Sequence, residues 1–304
     1  MEPTKPKLPS EAVELYNLFI HGVISRRTFL EGVGKYAVGG LAAATIIDAL
    51  MPNYAAAQQV SKTDDRIKTS YETVASPQGN GSIKGYLVRP VSADTRDKTV
   101  AKLPGILVVH ENRGLNPHIE DIARRLALAN FMAFAPDGLT SLGGFPGDDY
   151  NGGLLFAKID GKKMGEDFLA SAQWLKARPD CTGKVGVTGF CYGGGVSNTL
   201  AVRMGADLGA AVPFYGAVPP AEEIPMIKAA ILVHHGELDT RLASTWPAYD
   251  KALTAANVPH EGYIYPGAVH GFNCDATPER YNKAAADLAW GRTIDWFNKY
   301  VRVA

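Results

Sequence analysis

The sequence predicts an α/β domain, a mostly parallel sheet with helices covering both faces. Three observations predict it. Short apolar runs recur along the chain, helical patterns alternate with them from the third run onward, and polar residues able to do chemistry sit just after several of the runs. In chain order the strand-like runs are Tyr71 to Ala75, Ile83 to Val88, Gly105 to His110, Phe131 to Ala135, Val185 to Gly189, Ala210 to Tyr215, Ala230 to His235 and Tyr263 to Tyr265. Residues 118 to 130 place Ile119, Ile122, Leu126 and Ala129 on one helical face, and the last helix is expected to bury Leu288, Trp296 and Tyr300. Loops at the carboxyl ends of such strands converge on one crevice. His110, Glu111, Asp137, Cys191, Asp239 and His270 all follow strand-like runs and can therefore meet there.

Composition narrows the function class. The chain has 304 residues, 46% of them hydrophobic, enough for one large core, and 31 Lys and Arg balance 31 Asp and Glu. That balance points away from nucleic acid and toward a small soluble substrate. Cys181, Cys191 and Cys274 form no metal-ligand spacing and are odd in number, so neither a metal site, a disulfide framework nor a cofactor is implied.

The first 57 residues read as a targeting segment. Ser25-Arg26-Arg27-Thr28-Phe29-Leu30 resembles the twin-arginine export signal, Tyr36 to Ile47 is uncharged, and Ala55-Ala56-Ala57 fits a small-residue cleavage pattern. The uncharged stretch is shorter than the roughly 20 apolar residues of a membrane span, so no stable span is expected. The expected location is the periplasm, reached through the twin-arginine machinery. The other reading is an amphipathic helix from Glu11 to Tyr36 retained on a cytoplasmic protein. Residues 58–70 read as a polar linker and 71–304 as the domain.

The chemistry is carried by GVTGFCYGGG, residues 186–195. A nucleophile elbow needs small residues on both sides of a side chain held on a strained strand-to-helix turn; Gly189 and Gly193 supply them around Cys191. The other reading makes Cys191 a small core residue on a tight turn. ILVHHGELD (231–239) then ends a strand at Asp239, and YIYPGAVHGF (263–272) runs a strand into a turn with His270. Nucleophile, acid and histidine thus follow in the order of the α/β-hydrolase triad.

From about Ile83 to Tyr300 the chain resembles the dienelactone hydrolases, α/β-hydrolases with a Cys-His-Asp triad. The resemblance rests on GFCYGG, HGELD, GAVHGF and VVHENRGL (108–115). It implies hydrolysis of a small ester or lactone, with Cys191 as nucleophile, Asp239 as acid and His270 as base. It further implies that Glu111 meets the resting thiol and helps form the thiolate. The backbone N–H groups of Tyr192, at a helix start, and Asn112 are the expected oxyanion donors. His110 and His234 are assigned to packing and hydrogen bonding beside the strands.

Substrate contacts depart from the family. Its members hold a substrate carboxylate with one arginine four residues after the triad histidine, where this chain has Cys274, and another before the nucleophile strand. No arginine lies between Arg125 and Arg178. Lys158, Lys162 and Lys163, with Arg113 and Phe272, are the remaining substrate-binding candidates, and lysine does not reproduce a bidentate guanidinium clamp. FPGDDYNGG (145–153) is a candidate rim loop. Two further readings stay open: a catalytically weak relative that serves as a binding protein, and a thiol redox protein using Cys191 with Cys274.

Overall fold

The protein is described by a computed structural model over residues 8–20, 23–36, 42–54, 57–91 and 101–302. All eight predicted runs are strands: β1 Ile67–Ser76, β2 Gly81–Pro90, β3 Leu103–Val109, β4 Met132–Pro136, β5 Cys181–Phe190, β6 Ala210–Phe214, β7 Ala230–Gly236 and β8 His260–Tyr265. They form one sheet in the order β1-β2-β4-β3-β5-β6-β7-β8. The β1–β2 and β2–β4 pairings are antiparallel and the rest parallel. Strands β3, β4, β6 and β7 are buried along their whole length, the reason their sequences are continuous apolar runs without alternation.

Helices cover both faces. On one side α4 (Pro117–Leu128) and α10 (Lys283–Tyr300) pack Ile119, Ile122, Leu126, Trp296 and Phe297 onto Val108, Val212 and Leu232. On the other, α6 (Gly161–Ala177), α7 (Tyr192–Met204) and α9 (Trp246–Ala255) pack Phe168, Leu175, Leu200 and Leu253 onto Val109, Val187 and Ile231. Asn116 caps α4, its side-chain oxygen accepting from the Ile119 N–H at 3.1 Å, and Pro117 opens the helix where no N–H is needed. The last helix departs from expectation at Leu288, while Tyr300 is only half-buried. Leu288 is exposed, because α10 turns the stripe Ala285, Ala289, Thr293, Trp296 and Phe297 inward.

Residues 58–70 are not a free linker. Strand β1 begins at Ile67, and the backbone amides of Gln59 and Val60 donate to Asp121 at 3.2 and 2.9 Å. Asp121 is fully buried, and it also accepts from Arg124 at 3.3 Å and Arg125 at 2.6 Å. Arg125 continues the network to Asp275 at 2.6 Å. A carboxylate at the centre of four donors binds the start of the domain to α4 and to the loop that carries His270.

The N-terminal segment folds as three short helices, α1 (Ser10–Ile20), α2 (Arg26–Gly34) and α3 (Ala43–Leu50), with a core of their own from Ala12, Tyr16, Phe29, Val33, Ile46 and Leu50. The single helix from Glu11 to Tyr36 is therefore two, parted before Ser25, whose hydroxyl accepts from the Thr28 N–H at 3.1 Å and caps α2. Residues 37–41 of the uncharged stretch, and Ala55 and Ala56 of the cleavage pattern, lie outside the described residues. Among the described residues no helix is long and apolar enough to cross a membrane.

Asp121→Ala should destabilise the fold by about 3 kcal/mol or more, since it leaves buried donors and a buried guanidinium without their acceptor. Urea unfolding monitored by circular dichroism reads this; a loss below about 1 kcal/mol would mean that water or Glu120 replaces the carboxylate.

Candidate active site

Strand β5 turns into α7 at Cys191, where the backbone takes φ 55° and ψ −111°, left-handed space that a non-glycine residue rarely occupies. Such a residue costs on the order of 1–3 kcal/mol and persists only when its surroundings hold it. The Cys191 N–H donates to the Phe214 carbonyl at 3.1 Å, and the Gly194 and Gly195 amides donate back to the Cys191 carbonyl. A Cβ on Gly189 would fall 2.1 Å from the Gly193 carbonyl oxygen, and one on Gly193 would fall 2.3 Å from that of Val109. Only glycine lets the turn close against β3.

Asp239 sits between β7 and the short α8 (Thr240–Ala243), and His270 follows β8 in a loop. Their side chains meet Cys191 in a row: His270 Nδ1 donates to Asp239 Oδ2 at 2.6 Å, and Cys191 is near enough for its charge to act on the imidazole. Burial disfavours the charged imidazole, but Cys191 and Asp239 outweigh it and raise the His270 pKa to about 9. Burial likewise opposes the Asp239 carboxylate, yet the hydrogen bond and charge of His270 leave its pKa below the ordinary value. The neighbouring histidines are neutral for the opposite reason. Burial pulls His235 down to about 4 and lowers His234, which is hydrogen-bonded to Thr293 and to the Tyr265 hydroxyl. His110, also lowered by burial, accepts from the Gly138 N–H at 2.9 Å and bonds the Glu111 carbonyl, so it shapes the loop backbone.

Tyr192 opens α7, so its N–H has no acceptor within the helix. Asn112 lies in the loop after β3, its side chain donating to the Ile20 carbonyl at 2.9 Å. Arg113 donates to the same carbonyl at 2.7 Å and to the Asn112 carbonyl at 2.9 Å. Glu111 is half-buried, and its charge acts on Tyr215, Cys274 and Arg280.

Several candidates lie elsewhere. Phe272 is fully buried among Tyr215, Phe214 and Tyr265, with ring centroids 5.6, 6.4 and 5.1 Å away, so it is core and not a substrate contact. Lys158, Lys162 and Lys163 are exposed; the amides of the last two donate to the Asp160 carboxylate that caps α6, and none of the three lines the cavities at the site. Asp137 accepts from the amides of Leu115, Leu139 and Phe145 and organises loops instead of joining the row. Residues 145–153 are partly helical, running into α5 (Asp149–Phe156).

Sequence reasoning missed Arg280. It is 7% exposed, under the Tyr16 ring at 5.5 Å and close enough to Gly271 that a Cβ there would meet its guanidinium at 2.8 Å. No motif announces it, because it reaches the site through a loop and is covered by a residue over 250 positions earlier. Tyr215, buried with φ 37° beside His270 at 4.9 Å between rings, was also unmarked. Cys191 borders a cavity of about 370 Å³ with Tyr192, Val196, Ala217 and Val218. Among the described residues no group of three or more His, Cys, Asp or Glu is placed to hold a metal ion.

Comparison with known proteins points to one family. The profile of the dienelactone hydrolase family matches residues 83–301. A protein of Escherichia coli O157:H7 named "Putative carboxymethylenebutenolidase" is 31% identical over 257 residues, covering 79% of this chain and 90% of that one. "Putative hydrolase fragment YghX" of Escherichia coli is 50% identical over 120 residues, 40% of this chain and 97% of the fragment. The crystal structure of a protein from Klebsiella pneumoniae described as a "Putative Dienelactone Hydrolase" superposes with a TM-score of 0.64 at 28% identity, covering 77% of this chain and all of that one.

A histidine held charged in the folded state contributes stability that is complete below about pH 6.5 and is lost as pH rises through about 9. Denaturant titrations should therefore show the gap between wild type and His270→Ala shrinking across that window, by on the order of 3 kcal/mol. A gap that does not change with pH would mean that the buried imidazole is neutral.

Proposed function

The chain belongs to the dienelactone hydrolase family, and from that membership we propose that it hydrolyses small esters or lactones with Cys191 as the nucleophile. The observation that carries this reading is the row Asp239, His270, Cys191, set at a strained elbow. The imidazolium of His270, oriented by Asp239, holds the proton that Cys191 has given up, and the thiolate attacks the carbonyl carbon. The resulting oxyanion accepts from the Tyr192 and Asn112 N–H groups. Collapse expels the alcohol, protonated by His270, and leaves a thioester on Cys191. Neutral His270 then draws a proton from water, which attacks the thioester, releases the acid and restores the thiol. Glu111, whose charge acts on Tyr215 beside His270, assists thiolate formation in this reading. No cofactor enters any step.

A redox partnership of Cys191 with Cys274 has no comparable support. Burial and the nearby Glu111 carboxylate push the Cys274 thiol up to about 12, so it offers no thiolate near neutral pH. A purely binding role likewise leaves the strain at Cys191 without a use.

We also propose that Ser25–Leu30 directs export through the twin-arginine machinery. Arg26 and Arg27 are exposed on the first turn of α2, so both can be recognised on the folded chain. The burial of Tyr16 and the hold of Asn112 and Arg113 on Ile20 favour an N-terminal segment that stays with the domain after transfer. Changing Arg26 and Arg27 together to Lys should empty the periplasmic fraction. Undiminished transfer would refute the route, and an exported mass lacking the first 57 residues would refute retention.

Cys191→Ala should lower turnover of an aryl ester by about 10³ or more, whereas Cys181→Ala keeps most activity. Glu111→Gln should slow single-turnover acylation with little change in substrate binding. Full activity of the Cys191 variant, or equal losses at both cysteines, would end the assignment.

A further inference from the structure

The helices α1 to α3 grip the three segments that surround the candidate site. The Ile20 carbonyl holds Asn112 and Arg113 of the oxyanion loop. Tyr54 donates to Asp149 of α5 at 2.6 Å and accepts from Asn116 at 2.8 Å, while Arg26 and Phe19 lie against the Tyr150 ring. The Asn53 N–H donates to the Ala276 carbonyl at 2.6 Å, and Tyr16, 2% exposed, covers Arg280 in the loop that follows His270. A peptide packed only as cargo awaiting removal would have no need of specific partners on all three.

Between these helices and α5 lies a cavity of about 350 Å³, lined by Tyr16, Phe19, Ile24 and Met51 from one side and Tyr150 and Phe156 from the other. Its size is that of a small-ligand pocket. Its wall is apolar, and the polar groups at its edge are already engaged: Asn112 and Arg113 with Ile20, Asp149 with Tyr54. Its position relates it to the chemistry, because Asn112 and Arg113 form part of its wall and the Phe156 ring stands edge-on to that of Tyr192, 4.9 Å away, next to Cys191. It is separate from the cavity that Cys191 itself borders.

We propose that residues 8–20, 23–36 and 42–54 form a cap built into the enzyme, completing a subsite that takes an apolar substituent of the ester, a short alkyl chain or ring, beyond the reacting carbonyl. This rests on the hydrolase reading given above. It makes the N-terminal segment a determinant of specificity: the catalytic domain supplies the reacting groups, and the cap supplies half of the apolar wall. Each methylene moved from water into such a wall is favoured, so chain length is the natural probe.

The test uses the full chain and two substitutions that fill the cavity from opposite sides, Ile24→Trp in the cap and Ala157→Trp beside α5. Both positions are partly or largely exposed, so the fold tolerates them. The readout is the ratio of kcat/KM for p-nitrophenyl hexanoate to that for p-nitrophenyl acetate, with methyl acetate against hexyl acetate as the matched series on the alcohol side. The proposal expects one of the two series to favour the longer substrate in the wild type, and that ratio to fall by about tenfold or more in both variants. A ratio within about threefold of wild type in both variants overturns it, and a merely structural disturbance would give that result by lowering both rates together. Failure of the hydrolase reading looks different: no hydrolysis that depends on Cys191 for any ester. In that event calorimetry of methyl hexanoate against methyl acetate with Cys191→Ala still decides the subsite, where equal affinity of the two, or binding untouched by Ala157→Trp, rejects it.

Discussion

The structure depends on a close approach that only glycine permits. At the end of β5 the chain passes so near β3 that a single methyl on Gly193 would lie 2.3 Å from a carbonyl oxygen, and this crowding holds Cys191 at φ 55°. The strain is tolerable because β5 is buried between β3 and β6 and the Cys191 amide is bonded to Phe214 on the next strand. Moving the elbow by even an ångström would take the thiol from His270 and shift the helix-start amide of Tyr192. The paired carboxylate, imidazole and thiol are therefore a consequence of strand packing as much as of their own hydrogen bonds.

Burial then sorts four histidines by their partners. His270 has a carboxylate on one side and a thiol on the other, and their pull exceeds the cost of desolvation. His234, His235 and His110 are equally enclosed without such a pair, and burial decides for the neutral ring. His118 meets Asp275 at 3.1 Å in the network that includes Asp121, away from the elbow. One environment thus holds a proton on the ring and its neighbours make rigid neutral supports, with no difference in residue type.

The N-terminal helices extend this construction outward. Their own core is small, and a three-helix cluster of that size gains stability chiefly by packing on something larger. Here that surface is the rim of the site, where Tyr16 covers Arg280 and Tyr54 joins α5 to the start of α4. The same contacts that hold the helices in place also shape the cavity, so stability of the segment and geometry of the rim are physically one matter.

The eight strands, their approximate bounds and the placing of Cys191, Asp239 and His270 just after strands were legible in the sequence. Buried parallel strands are continuous apolar runs, and turns that need glycine carry glycine, so both signals are local. The elbow belongs to the same class, since Gly189 and Gly193 flank Cys191 within five positions. What the tertiary structure alone decided concerns residues whose environment comes from distant chain. Phe272 follows His270 closely yet faces the core; Leu288 lies in an amphipathic helix yet faces out; Arg280 carries no motif yet lies beneath Tyr16. The N-terminal segment shows the division most plainly. Its twin arginines, apolar stretch and small residues are a local pattern that reads as an export signal, whereas its packing on the oxyanion loop, α5 and the histidine loop is set by contacts across more than ninety residues, which no local pattern encodes.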